Sequence, residues 1–250
     1  VTKTPKIAVV TGGSAGFGAA TVRLLAARGW HVLAGARRLD KLRQVTEPVG
    51  AEALALDVTD PASVEAFAAA LPPAVHLLVN NAGLASGFQS VAEAEDARWD
   101  TMYQTNVLGL MRVTRALLPR LAASGDGHVM NIGSISGFEV YVGGAGYTAS
   151  KHAVRAVTKT LRLELLGQPI RVTEICPGLA ETEFSLVRFD GDADRAASVY
   201  TGMEPLTADD VAECVVWAAE RPSHVNIDEI VVRPRAQATS QVVHRRPEGP

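Results

Sequence analysis

Ile7-Ala8-Val9-Val10-Thr11-Gly12-Gly13-Ser14-Ala15-Gly16-Phe17-Gly18 decides the fold. Four apolar residues in unbroken succession run into a glycine-rich turn, and Ala19 to Arg28 then follows with helical spacing. A strand that is apolar on successive residues must be covered on both faces. Glycines at 12, 16 and 18 let the backbone turn tightly and approach a pyrophosphate, whose charge the helix N-terminus favours. The spacing is G-x-x-x-G-x-G, not the G-x-G-x-x-G of long-chain dinucleotide binders.

Working outward, the alternation of short apolar runs and helical stretches continues along the chain. His31 to Ala34, Ala53 to Leu56, Val75 to Val79, Gly127 to Ile132, Ile170 to Cys176 and Ile230 to Val232 are the further runs. A charged helix is expected from Asp40, read as its N-cap, and an Ala-rich helix from Pro61 to Leu71. Helices between successive strands mean parallel pairing with right-handed crossovers. The reading is an α/β chain: a doubly wound, Rossmann-type parallel sheet of about seven strands in one domain over 1–250. Phe189 to Asp194 reads as a loop tip, and Arg233 to Pro250 as a polar extension docked on a neighbouring subunit, or else a frayed end.

Composition excludes several function classes. Of 250 residues 47% are apolar and 20% charged, the balance of a folded globular chain. Lys and Arg number 24 against 27 Asp and Glu, a net charge of −3, which gives no footprint for nucleic acid. Cys176 and Cys214 lie in apolar runs, so no disulfide framework is expected. No stretch approaches 18 apolar residues, and the four after Lys3, Pro5 and Lys6 are too few for a secretory leader, so no membrane partner and a cytoplasmic location are expected. The six histidines show no ligand spacing, so no metal is expected.

The second strand selects among dinucleotides. Binders of NAD place an acid at its end to accept from the ribose 2′-hydroxyl, whereas here the run ends Gly35-Ala36-Arg37-Arg38. Two guanidiniums suit a 2′-phosphate, so NADP is favoured over a merely solvated Arg pair. Asp57 and Val58, after the third strand, could meet the adenine edge and ring. Asn80-Asn81-Ala82-Gly83 closes the fourth strand and could shape the cofactor crevice.

A second constellation carries chemistry. Tyr147 and Lys151, four apart, share a helix face. A phenol near pKa 10 is a poor acid or base at neutral pH, and a nearby ammonium lowers that value. Ser134, ending the fifth strand, could hold a substrate carbonyl. Asn106 lies in a helical stretch that it disfavours, and a water held by Asn106 and Lys151 could relay protons.

Thr11 to Gly18, Asn80 to Gly83, Asn106, Ser134, Tyr147, Lys151 and Pro177-Gly178 with Thr182 together resemble the short-chain dehydrogenase/reductase family, in order and over essentially the whole chain. The resemblance implies Tyr147 as general acid/base and Ser134 polarising the carbonyl. Lys151 would bind the nicotinamide ribose and depress the Tyr147 pKa, and Asn106 would complete the relay. Thr11, Gly12, Ser14, Ala15, Gly16, Phe17, Gly18, Arg37, Arg38, Asp57, Val58, Asn80, Asn81, Ala82, Gly83, Tyr147, Lys151, Pro177, Gly178 and Thr182 form the expected cofactor set.

Within the family, Phe17, Gly35 to Arg38, Thr182 to Ser185, Val187-Arg188-Phe189 and His224 to Ile227 are similar to the NADP-dependent 3-hydroxy acid (serine, allo-threonine) dehydrogenases, although Pro177 to Glu183 is one residue shorter. The expected function is hydride transfer between NADP(H) and a small 3-hydroxy acid or its carbonyl form. A general aldehyde or ketone reductase, or a catalytically silent NADP-binding sensor, are the alternatives. Arg188, in an apolar setting, could anchor a substrate carboxylate, pair with Glu181, Glu183 or Asp190, or touch a cofactor phosphate. The long helices read over Trp99 to Ala123 and Tyr147 to Leu166 pair across subunits in this family, which implies a homotetramer.

Overall fold

Seven strands form one sheet: β1 (Ile7–Thr11), β2 (His31–Ala36), β3 (Glu52–Ala55), β4 (Leu77–Asn80), β5 (Gly127–Ile132), β6 (Ile170–Pro177) and β7 (Glu229–Val232). The structure is a computed structural model and describes residues 5–246, so Lys3 and the last four residues of the polar extension lie outside it. Every neighbouring pair is parallel and the order is β3-β2-β1-β4-β5-β6-β7, the doubly wound arrangement expected. The unbroken apolar runs explain the layering, because successive side chains point to opposite faces. Val10, Val32 and Ile175 meet α1 (Gly16–Ala27), α2 (Leu39–Thr46) and α9 (Ala208–Ala219) on one side. Val9, Leu33, Leu78, Val129 and Val172 meet the other helical layer. That layer contains α3 (Pro61–Ala69), α5 (Leu110–Ala123) and α6 (Ala145–Glu164).

The remaining helices are α4 (Asp96–Tyr103), α7 (Glu183–Arg188) and α8 (Ala193–Ser198). Two local readings change and two others gain detail. Asp40 is not an N-cap: Arg38 holds that position without a side-chain cap, and Asp40 sits in the first turn, where the helix dipole still favours it. The helix expected over Trp99 to Ala123 is α4 and α5 joined by a π-helical segment, Gln104–Gly109, that contains Asn106. The Phe189–Asp194 tip is a tight turn between α7 and α8, with Asp190 and Gly191 at positive φ. The described part of the polar extension folds back on its own chain. Arg233 pairs with Glu139 at 2.6 Å, Gln237 Oε1 accepts from the Leu179 amide, and Arg245 donates to the Thr201 carbonyl.

Cys176 and Cys214 are both free, and among the described residues no helix is long and apolar enough to cross a membrane. His128, on β5, is buried, and Thr173 fixes its tautomer. The Thr173 hydroxyl donates to the Ile227 carbonyl, so it accepts from His128 Nε2–H at 2.7 Å, and Nδ1 has no partner among the described residues. Burial, with the nearby charges of Arg171 and Lys6, holds the imidazole well below its ordinary pKa. The unfolded chain therefore takes up this proton first as pH falls through about 6.5, and stability is lost below that value. Thermal melts between pH 7.5 and 5 should show a falling Tm, with a smaller fall in His128→Gln, which keeps a donor for Thr173 but does not titrate.

Candidate active site

The strand order reverses between β1 and β4, and the crevice this opens lies beyond the C-terminal strand ends. There a cleft of ≈ 910 Å³ gathers residues from one end of the chain to the other. Of the expected residues, Gly12, Ser14 to Phe17, Arg37, Arg38, Asp57, Val58, Asn81 to Gly83, Ser134, Tyr147, Lys151, Pro177, Gly178, Thr182 and Arg188 all line it. Thr11, Gly18, Asn80 and Asn106 do not: they stand behind the wall and shape it.

Thr11 ends β1, and its buried hydroxyl accepts from the amides of Asn81 and Ala82, both at 3.0 Å. Asn81 Nδ2 returns bonds to the carbonyls of Thr11 and Gly12. The turn and the end of β4 are thus laced together, leaving no room for side chains. A Cβ on Gly18 would lie 2.3 Å from the Gly12 carbonyl, and Gly12 itself has φ +67° with Ala82 Cα 2.9 Å from its missing Cβ. Asn80 spans to Thr114 and Asn131 inside the fold, and so supports β4 from below.

At one end of the cleft, exposed Arg37 and Arg38 follow β2. Among the described residues Arg37 has no ion-pair partner, whereas Arg38 reaches Ser14 Oγ at 3.4 Å and Glu183 at 3.0 Å. Lys41 also pairs with Glu183. Asp57 Oδ1 accepts from both the amide and the hydroxyl of Thr59. Burial acts to raise this carboxyl, but those bonds and the Arg37 charge prevail and lower it.

At the other end stand Ser134, Tyr147 and Lys151. The Ser134 hydroxyl accepts from the Ser136 amide at 3.1 Å, lies 3.5 Å from the Pro177 carbonyl and faces the Tyr147 phenol. The long Pro177 contact leaves the hydroxyl proton free to turn toward the cleft. Tyr147 is half-buried, with Phe184 edge-on at 5.4 Å. Burial pushes its phenol above the ordinary value, Tyr141 adds to the rise, and the Ser134 hydroxyl and Arg188 charge pull the other way. Lys151 is buried, with its Nζ 5.8 Å from the Tyr147 ring, and donates to the Ile132 carbonyl at 2.8 Å. Burial brings Lys151 down to about 8, with Glu174 and Cys176 opposing the fall. Asn106 makes no direct hydrogen bond to Lys151 among the described residues. Its amide accepts from Leu84 N–H and donates to the Leu84 carbonyl and Ser150 Oγ, so its side chain ties the π segment to the loop after β4 and to α6.

Arg188 has no carboxylate partner among the described residues. Glu183 is taken by Arg38 and Lys41, and Asp190 by Arg98. The guanidinium instead donates to Tyr141 Oη at 2.9 Å and to the Gly87 carbonyl at 3.4 Å. It lies 4.8 Å from the Phe88 ring, 5.3 Å from Tyr141 and 5.8 Å from Tyr147.

The family model for short chain dehydrogenases matches residues 6–191. The chain belongs to the short-chain dehydrogenase family. It is 44% identical to the sulfoacetaldehyde reductase of Chromohalobacter salexigens, over 92% of this chain and 94% of that protein. It is 41% identical to an NADP-dependent 3-hydroxy acid dehydrogenase of Salmonella typhi, over 96% of this chain and 99% of that one. The closed form of a serine dehydrogenase complexed with NADP+ superimposes with a TM-score of 0.91 at 40% identity, covering 96% of this chain and all of that one.

The short-chain dehydrogenase motifs do not flag everything that lines this cleft. Phe88, Tyr141, Gln237, Ser240 and Arg245 also face it and carry no pattern in the sequence. Lys41 was legible in principle, three residues after Arg38 on one helical face. The lacing of the turn can be tested directly. Thr11→Val keeps shape but removes the acceptor of two amides, and should cost about 1–3 kcal/mol in urea unfolding.

Proposed function

We propose that the protein is an NADP(H)-dependent oxidoreductase that interconverts a small anionic secondary alcohol, of the 3-hydroxy acid type, with its carbonyl form. The observation that carries this reading is the Arg188 guanidinium, free of any carboxylate among the described residues and held by rings beside Tyr147. A cation in that position suits a carboxylate or sulfonate held at fixed distance from the carbinol carbon. The named activities of the two curated relatives, one on a 3-hydroxy acid and one on a sulfonated aldehyde, support the same choice.

The residues present fit the dinucleotide. The laced turn leaves space for a pyrophosphate against backbone amides at the start of α1, and Arg37 is a cation in want of an anion. Arg37 and Arg38, with Lys41 beside them, would hold the 2′-phosphate, and Asp57 and Val58 the adenine. Thr182, whose hydroxyl caps α7, and Pro177-Gly178 would close over the nicotinamide half. When bound, the nicotinamide supplies or accepts the hydride.

The chain's own groups do the rest. Ser134 donates to the substrate oxygen, with a proton that the long Pro177 contact leaves free to turn toward the cleft. In the reducing direction Tyr147 gives its proton to that oxygen as negative charge develops there. The phenolate left behind faces the Arg188 charge, which favours it. Lys151 would hold the nicotinamide ribose, and Asn106 acts by fixing the helix and loop on either side. The enzyme is read as a cytoplasmic homotetramer of single-domain subunits; exposed Tyr103 and Met111 on the π-bridged helix and Leu163 on α6 support the subunit pairing.

Arg188→Met tests the substrate class. It should raise KM for 3-hydroxy acids at least tenfold more than for uncharged alcohols of similar size, with NADPH affinity unchanged. Equal losses on both would favour a general carbonyl reductase. Tyr147→Phe tests the chemistry: NADPH should still bind in a fluorescence titration while turnover falls at least about 10²-fold. Binding by the unaltered protein with no turnover of any carbonyl would mark a silent sensor instead.

A further inference from the structure

Beneath the reacting end of the cleft lies a buried charge cluster with no part in the steps above. Glu174, on β6, is 2% exposed and stands in register with Glu229 on β7. Arg155, one helical turn after Lys151 on α6, reaches both carboxylates, at 2.7 Å from Glu229 and 3.9 Å from Glu174. Among the described residues Glu174 Oε1 has no hydrogen-bond partner. It presses against the end of β5, where a Cβ on Gly133 would lie only 2.3 Å from that oxygen. The residues on either side of Gly133 are Ile132, whose carbonyl accepts from Lys151, and Ser134. Only glycine leaves room for the carboxylate there.

Charge accounting gives this placement a purpose. A buried carboxylate oxygen without a partner is costly unless a nearby charge balances it. Arg155 and Glu229 neutralise each other, leaving one anion, Glu174, and one buried cation, Lys151, whose acceptor is a neutral carbonyl. We propose that Glu174 is a positioning residue for the reaction, its carboxylate under Gly133 being the counter-charge that keeps the Lys151 ammonium protonated in the buried site. The proposal rests on the role given to Lys151 above. Besides Glu174, the groups acting on Lys151 are Cys176 on β6 and Tyr147 one turn earlier on its own helix, while Arg155 and Glu229 stand beside Glu174. Burial tends to neutralise both partners, raising Glu174 and lowering Lys151, and each opposes the shift of the other.

The test reads Lys151 itself. Lysine-selective 15N NMR of the cofactor-free protein should place its titration near 8 and move it down by about one unit in Glu174→Gln. The alkaline limb of kcat should move down with it, while KM changes little. Glu174→Asp, which keeps the charge, should titrate close to the unaltered protein. A Gln variant whose Lys151 titrates unchanged overturns the proposal, even if its Tm falls. Should Glu174→Gln fail to fold, Glu229→Gln provides the second reading. It frees Arg155 to neutralise Glu174, so Lys151 should again titrate lower, and no movement overturns the proposal. A shifted titration with an unshifted rate profile would sustain the counter-charge and refute the catalytic role of Lys151.

Discussion

Between β1 and β4 the crossovers leave the sheet in opposite directions, and the gap must be held open yet rigid. One hydroxyl, that of Thr11, accepts two amides across it, and one carboxamide, that of Asn81, answers with two bonds in return. Everything on the cleft floor is referenced to this lacing. It draws Gly12 and Gly18 so close to their neighbours that any side chain would break it, and it aims the N-terminus of α1 into the crevice. Asn80 and Asn106 extend the same logic, each spending its amide on joining elements rather than on a ligand.

At the chemical end the constraint is electrostatic. A half-buried phenol and a buried ammonium are both driven toward their neutral forms, which suits a proton donor but not the charged state that follows transfer. Charges outside the pair decide how far this goes. Arg188, on α7, acts on the phenol, and Glu174, on β6, acts on Lys151. The spacing in the sequence points to Lys151 as the group that tunes Tyr147; in the fold the Arg188 guanidinium stands at the same 5.8 Å from the ring, so a second cation faces the phenol.

What was legible in the sequence follows from range. The unbroken apolar runs, the glycine turn, the Arg37-Arg38 strand end and the four-residue spacing of Tyr147 and Lys151 are local signals, and each stands where it was read. Strand ends moved by a residue or two where edge position decides, as at β3, whose Glu52 is exposed. The π segment was not legible, because its cause is tertiary: Asn106 is held by Leu84 and Ser150. Glu183 with Lys41, Glu174 under Gly133, and the folded-back Gln237 and Arg245 join residues tens to more than a hundred positions apart, and no window contains both partners. Asp40 was misread because an acid before a helix and an acid in its first turn look alike when the start is uncertain by a residue.

The lid over the cleft, α7 and the turn that follows it to Asp192, sorts its charges by position. Glu183, at its near end, faces the cations that follow β2, and Asp190, at its far end, is taken by Arg98 in a two-bond pair. Both carboxylates are drawn outward to the rim, where solvent screens them and their pairs contribute little to stability. Arg188 lies between them, close enough in sequence to pair with either, yet it points inward among Phe88, Tyr141 and Tyr147. Ring faces attract a guanidinium without neutralising it. The arrangement therefore holds a positive charge in place while leaving its field available, which an ion pair with Glu183 or Asp190 would have cancelled. An anionic substrate group then gains from that field without first displacing a carboxylate, and selectivity for charge comes from where the lid puts its acids as much as from where it puts its arginine.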